Sequence, residues 1–135
     1  MNIYDATNFA EEYLFTDLAG FASTSTSYEV TQKDSADVVL DLRHKIGKPV
    51  AINVHIVAIL AAGSETYGLR VEDGNVVTVD DVVDNHDYVV LKEVGAAYTV
   101  APTIIMIPRN GFLRLSMIGA NTPGWTIISW AAPAN

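Results

Sequence analysis

The sequence predicts an all-β protein, a jelly-roll-like antiparallel β-sandwich of about eight strands. From residue 28 onward, apolar and polar residues alternate in short segments, as they do in strands that bury one face. Turn signals made of Gly, Pro, Asn and Asp separate these segments at the intervals typical of sandwiches and barrels. No amphipathic helical pattern of useful length lies between them, which argues against a parallel sheet built from βαβ units.

The segments with strand character cover most of the chain after residue 36. They are, in chain order, 37–42, 50–60, 67–72, 76–80, 88–92, 103–107, 112–118 and 125–131. Asp73-Gly74 carries the strongest hairpin signal, because both residue types tolerate the positive φ angles of a tight turn. We therefore expect a hairpin turn at Asp73-Gly74, between the third and fourth of these segments.

Two segments indicate which side chains face the core. In 112–118 the inward residues are predicted to be Leu113, Leu115 and Met117. In 50–60 they are predicted to be Ile52, Val54, Ile56, Ala58 and Leu60. The opposite face of 50–60 is also apolar toward one end, so this strand is either central in its sheet or covered by a partner.

Residues 1–22 differ in pattern from the jelly-roll domain predicted for 23–135. Asn8 and Glu11 have the spacing of a helix capping box. The apolar residues that follow at helical spacing are Ala10, Leu14, Leu18 and Phe21. The alternative to a short docking helix is an extended arm whose aromatic side chains pack on a neighbouring subunit. The sequence leaves both open.

The composition indicates a protein whose surface is partly covered by other subunits. The 135 residues fit one domain; half are hydrophobic, only 18% are charged, and the net charge is −8. No apolar run approaches the roughly 18 residues that cross a membrane, and no secretory signal is recognisable at the N-terminus. We therefore expect a homo-oligomer, a dimer or trimer, with no membrane or nucleic-acid partner, since phosphates repel an acidic surface.

The sequence lacks the patterns of the common catalytic and metal sites. His44, His55 and His86 do not have the spacing of zinc ligands, and the chain contains no cysteine. Within the acidic stretch 72–87, residues 80–87 lack the oxygen spacing and the glycine of a calcium loop. No nucleophile elbow or phosphate-binding glycine loop is present. We expect no enzymatic activity, no cofactor and no metal.

Contact with other proteins is the function that these patterns favour. The candidate contact surfaces are the half-apolar strand 50–60 and the aromatic N-terminal segment. The predicted interface residues are Tyr4, Phe9, Tyr13, Phe15, Phe21, Val57, Ile59 and Trp130. The alternative function is a non-catalytic carbohydrate-binding jelly-roll module. Trp125 and Trp130 lie five residues apart and should face opposite sides of their strand, so they do not form a shared sugar platform.

From about residue 22 to 131, the order of these motifs resembles the capsid cement, or decoration, proteins of tailed bacteriophages, especially of the podovirus type. The features that carry the resemblance are Ser23-Thr24-Ser25-Thr26-Ser27 leading to Asp41-Leu42, Gly47-Lys48-Pro49 before a long apolar strand, Leu69-Arg70-Val71-Glu72, and Pro108-Arg109-Asn110 before Leu113-Arg114-Leu115. The resemblance implies a jelly roll that forms symmetric oligomers across capsomer junctions. It also implies the major capsid protein as partner, a location on the virion capsid surface after synthesis in the host cytoplasm, and no catalytic residues.

Overall fold

The computed structural model describes residues 13–61, 63–79, 83–90 and 103–134, and these are almost entirely β-structure. A single 3₁₀ turn, Arg43–Lys45, accompanies the strands of the described residues. The strands are β1 Phe21–Ser23, β2 Glu29–Val30, β3 Gln32–Lys33, β4 Ala36–Asp37, β5 Leu40–Asp41, β6 Val50–Ile59, β7 Thr66–Gly74, β8 Val83–Val90, β9 Thr103–Met106, β10 Phe112–Ala120 and β11 Trp125–Pro133. The predicted all-β class is confirmed.

The strands form two main antiparallel sheets, with the orders β1-β11-β6-β9 and β2-β10-β7-β8. Strand β5 also pairs with β10, and β3 with β4. Leaving β3, β4 and β5 aside, the first strand pairs with the last, the second with the second-last, and so on inward to β7 and β8. This nested pairing is the arrangement of a jelly roll, as the sequence predicted.

The core lies between the inner faces of the two sheets. Leu113, Leu115 and Met117 are fully buried there, which confirms the inward face predicted for β10. Trp125 is buried from the other sheet, with its ring centroid 5.0 Å from that of Tyr67. Each such side chain contributes about 1.5–3 kcal/mol through removal of its apolar surface from water. Packing of these inner faces therefore holds the two sheets together.

Strand β6 departs from the predicted alternation after Ile56. A bulge in its pairing with β11 places Ile127 opposite Ile56 and Thr126 opposite Ala58, so Val57 is the extra residue. Beyond the bulge the two faces of the strand exchange. Ile59 packs against the core, whereas Ala58 and Leu60, which were predicted to face inward, are exposed.

Residues 13–22 are not helical and belong to the sandwich: after the bridge at Leu14 the chain makes a turn at 17–20 and enters β1. Leu14 forms a β-bridge with Trp130, and the N–H of Phe15 donates to the carbonyl oxygen of Ser129 at 2.8 Å. The helical alternative is therefore wrong for this part of the segment, because pairing with β11 satisfies its backbone better than a marginal helix would. The predictions that concern residues 1–12 lie outside the described residues.

Asp73 and Gly74 do not form the predicted hairpin turn. Both are buried strand residues at the end of β7, and residues 76–79 form a turn instead of the predicted strand. The prediction failed because the Asp73 side chain is occupied elsewhere. Its carboxylate accepts hydrogen bonds from the backbone N–H groups of Arg109, at 2.7 Å, and Gly111, at 2.8 Å.

The loop 108–111 is thus held by a buried carboxylate. The N–H of Asn110 also donates to Asp73 at 3.2 Å, and the Asn110 side-chain amide donates to the Asp73 carbonyl oxygen at 2.9 Å. Gly111 is required here because its φ is +110°, and a Cβ would lie 2.7 Å from the Cγ of Arg43. The contact fixes the crossover from β9 in one sheet to β10 in the other.

Replacement of Asp73 by Ala is expected to lower the free energy of unfolding by about 3 kcal/mol or more, because buried N–H groups lose their charged acceptor. Chemical denaturation followed by circular dichroism measures the change. Asp37→Ala, which removes an exposed carboxylate bound to the Gln32 amide, is the matched control and should change stability by less than about 0.5 kcal/mol. Equal denaturation midpoints for the Asp73 variant and the native chain would contradict the role of the Asp73 carboxylate in holding the loop 108–111.

The small hairpin β3–β4 contains a tight turn that the sequence prediction missed. Asp34 and Ser35 connect its strands with φ angles of +53° and +63°, which is the left-handed pair of a two-residue hairpin turn. Only short parts of the predicted strand 37–42 remain, in β4 and β5.

Replacement of Ser35 by Gly should raise the free energy of unfolding by about 0.5–1 kcal/mol, because glycine adopts a positive φ without a steric cost. Ala36→Gly, one position later in β4, should lower it by a similar amount, since glycine weakens a strand. Thermal unfolding of the two variants measures both changes. A change of the melting temperature in the same direction for both would exclude the positive φ of Ser35 as the cause.

Candidate functional site

The outer face of the sheet β1-β11-β6-β9 is the candidate contact surface. Within the described part of the chain, none of its outward residues is Asp, Glu, Lys or Arg, and we name it the uncharged face. Its residues are Ala22, Ala51, Asn53, His55, Ala58, Thr103, Ile105, Thr126, Ile128, Trp130 and Ala132.

Strand register makes the uncharged face continuous. Ile105 lies opposite Ala51, which lies opposite Ala132, so one row of apolar side chains crosses three strands. In the next row Asn53 separates Thr103 from Trp130. The Cβ atoms of residues opposite one another on neighbouring strands are about 5 Å apart, so these side chains are neighbours across the sheet. The result is a largely apolar surface.

Several large apolar side chains on or beside this face are exposed to solvent. Ile105 is 66% exposed, Ile107 just beyond β9 is 53% exposed, and Val57 at the bulge is 49% exposed. Monomeric proteins rarely leave contiguous apolar patches in water. In a chain of net charge −8, a sheet face without Asp, Glu, Lys or Arg among its described residues is a candidate surface for contact with another protein.

The outer face of the other sheet carries ion pairs between neighbouring strands. Arg70 on β7 binds Asp87 on β8, with 2.6 Å between Nε and Oδ1. Glu72 on β7 binds Arg114 on β10, with 2.7 Å between Oε2 and Nη2. The two outer faces therefore differ in charge. The outer face of β2-β10-β7-β8 carries these ion pairs, whereas the uncharged face has no ion pair among its described residues.

The guanidinium groups of Arg43 and Arg70 lower the pKa values of the carboxylates that they bind. Arg43 donates hydrogen bonds to Asp41 from its side chain and its backbone, which lowers the Asp41 pKa from 3.8 to about 2. The hydrogen bond from Arg70 likewise lowers the pKa of Asp87. Both carboxylates are exposed, so solvent screens these pairs and their effect on stability is modest.

The structure separates the predicted interface residues into three groups. Trp130 and Val57 lie at the outer surface, and Tyr13 is half-buried, with its hydroxyl 3.4 Å from Nε2 of His44. Phe15 is fully buried, and Tyr13, Phe21 and Ile59 are half-buried side chains that pack against the core. Tyr4 and Phe9 lie outside the described residues.

Sequence reasoning missed most of the uncharged face. Ile105, Ile128 and Ala51 were not among the predicted interface residues, although 103–107 reads as apolar on both faces. That pattern does signal a strand covered on both sides. It does not show that β9, β6 and β11, which are distant in sequence, lie side by side.

The polar residues considered for chemistry are dispersed. His44 lies in the 3₁₀ turn, His55 is on the uncharged face, and His86 is on β8, paired in register with Val71. Within residues 13–61, 63–79, 83–90 and 103–134, no group of three or more such side chains is placed to hold a metal ion. In the acidic stretch, Glu72, Asp73 and Asp87 bind protein groups; Asp80 and Asp81 lie outside the described residues.

Comparison with known proteins does not assign the chain to a family. No known family matches it, and no curated protein matches its sequence significantly. Among the described residues, no helix has the length and apolar character that crossing a membrane requires.

Replacement of Asp41 by Asn is expected to reduce the loss of stability in acid. Because its pKa is lower in the folded chain, Asp41 stabilises the fold at neutral pH, and this contribution is lost as the pH falls from about 5 toward 1. Melting temperatures measured between about pH 6 and pH 2.5 should fall less for Asp41→Asn than for the native chain. Asp37→Asn, which removes an exposed carboxylate that accepts a hydrogen bond from the Gln32 amide, is the control variant for the loss of one negative charge.

Proposed function

We propose that the chain is a structural virion protein that binds the outer surface of a tailed-bacteriophage capsid and stabilises the head. In this proposal it acts as a homo-oligomer across capsomer junctions, with the major capsid protein as its partner. The resemblance of residues 22–131 to cement proteins and the jelly-roll fold support the proposal. The observation that carries it is the uncharged face, which has the properties of a protein-contact surface and no evident catalytic chemistry.

The uncharged face is suited to association by an otherwise acidic protein. Burying a charged group without a partner costs several kcal/mol, whereas apolar side chains gain free energy when water leaves, and an amide such as that of Asn53 needs only a hydrogen bond from the partner. A specific interface buries about 800 Å² on each partner, and its centre is depleted of charge. The row Ile105, Ala51 and Ala132 supplies such a centre.

The proposed mechanism is mechanical. An oligomer bound across the seam between capsomers adds interface area that must be lost before the capsomers separate. Because the oligomer binds the intact shell and not the separated capsomers, its binding raises the free energy needed to rupture the shell. A symmetric oligomer suits this position, because the junctions between capsomers are themselves symmetry axes.

The test compares two exposed β-branched residues on opposite faces of the sandwich. Ile105→Glu on β9 places a charge in the uncharged face, and Val89→Glu on β8 places the same charge on the other sheet, where Val89 is 78% exposed. Co-sedimentation with expanded heads of the source phage measures binding. We expect Ile105→Glu to reduce binding at least tenfold and Val89→Glu to leave it unchanged.

Two further measurements make the result interpretable. Thermal unfolding must give similar midpoints for both variants, as expected for exposed side chains. Analytical ultracentrifugation then shows whether Ile105→Glu removes self-association, capsid binding or both. If Ile105→Glu binds heads as tightly as the native chain does, and its oligomeric state is unchanged, the proposed role of the uncharged face is wrong.

A further inference from the structure

A groove of about 480 Å³ lies on the sheet β2-β10-β7-β8, opposite the uncharged face. It is at the end of the sheet remote from Asp73, where β7 begins and β10 ends. The residues that shape it are Tyr28, Thr66, Gly68, Asp87, Val89 and Ile118. This volume is within the range of small-molecule sites in proteins.

Gly68 forms the floor of the groove. It lies in the middle strand, between Val89 on β8 and Ile118 on β10, and has no side chain to fill the space between them. A Cβ here would lie 3.1 Å from Cγ2 of Ile118 and 3.3 Å from the carbonyl oxygen of Tyr88. Both distances are shorter than ordinary van der Waals contacts, so Ile118 and the Tyr88 carbonyl crowd the space above Gly68 and the groove is shallow there.

One rim of the groove is a fixed stack of charged and aromatic groups. Arg70 holds the Asp87 carboxylate at both oxygens, with distances of 2.6 Å and 3.0 Å. The guanidinium carbon of Arg70 also lies 3.9 Å from the centroid of the Tyr28 ring. Aromatic ring and carboxylate are therefore positioned before any ligand arrives, which lowers the entropic cost of binding.

The electrostatics of this rim favour a neutral ligand with hydroxyl groups. The charges of Arg70 and Asp87 cancel, so an ionic ligand would lose hydration without a net attraction. Each carboxylate oxygen accepts one hydrogen bond from Arg70 and keeps lone-pair capacity for a hydroxyl donor. The Thr66 hydroxyl, which also lines the groove, can donate or accept.

We propose that this groove binds a single neutral pyranose unit of a glycan. The apolar floor at Gly68, Val89 and Ile118 receives the C–H face of the sugar ring, and Asp87 and Thr66 bind its hydroxyls. The site lies on the sheet opposite the uncharged face, so it stays open to solvent when that face is covered. It goes beyond the proposed capsid function and does not depend on it.

The test is a titration of the ¹⁵N-labelled chain with glucose, galactose, mannose and N-acetylglucosamine, followed by amide chemical shifts. At least one sugar should give saturable shifts at Gly68, Gly119 and Ala120, with a dissociation constant in the millimolar range that is typical of small contacts. The amides of Ala51 and Ala132, in the opposite sheet, should not move. The absence of saturable shifts at the groove with all four sugars would overturn the proposal.

Matched variants distinguish a built site from weak general binding. Tyr28→Ala and Asp87→Asn should each weaken binding at least fivefold, whereas Ile105→Ala on the uncharged face should not change it. Asp87→Asn is isosteric and exposed, so it remains informative if Tyr28→Ala disturbs the fold; it leaves Arg70 with one acceptor oxygen in place of two. Equal affinity in all three variants would also overturn the proposal. The capsid contact and the groove are tested by different measurements. A chain that binds no sugar can therefore still bind capsids, and a chain that binds no capsid can still bind sugar.

Discussion

The buried carboxylate of Asp73 is the contact on which the arrangement of the two sheets depends. It binds backbone N–H groups of residues 109 and 111, within the connection that crosses from β9 to β10. The same connection contacts the loop before β6, since the N–H of Gly47 donates to the carbonyl oxygen of Pro108 at 3.0 Å. Pairing of β9 with β6 places Ile105 opposite Ala51 on the uncharged face, and the Asp73 contact fixes the connection that follows β9.

Charge is distributed unequally over the two outer faces of the sandwich, and the proposed capsid contact and the proposed sugar site lie on different faces. The face with ion pairs stays hydrated, and it holds a small groove whose rim is the Arg70–Asp87 pair. The uncharged face has no such pair among its described residues, and Ile105 projects from it into solvent. A broad apolar surface suits a large protein partner, whereas a shallow groove with fixed polar groups suits a small one.

Prediction of side-chain exposure from sequence succeeded where exposure followed from local pattern and failed where it depended on neighbours. Trp130 was placed opposite the buried Trp125 by simple alternation, and the structure agrees. Phe15 and Phe21 were expected at an interface because they lie in an aromatic, weakly patterned segment. Pairing of that segment with β11 instead turns both rings toward the core of their own chain.

By itself, the sequence determined the all-β class, most of the long strands and the inward face of β10, because alternation with period two is a local property. Only the tertiary structure decided which of Ala58 and Ile59 faces the core, since the bulge at Val57 arises from pairing with β11. It also decided that Asp73 is a buried acceptor, because its donors lie 36 to 38 residues away. Contacts between residues so far apart leave no periodic signal in the chain.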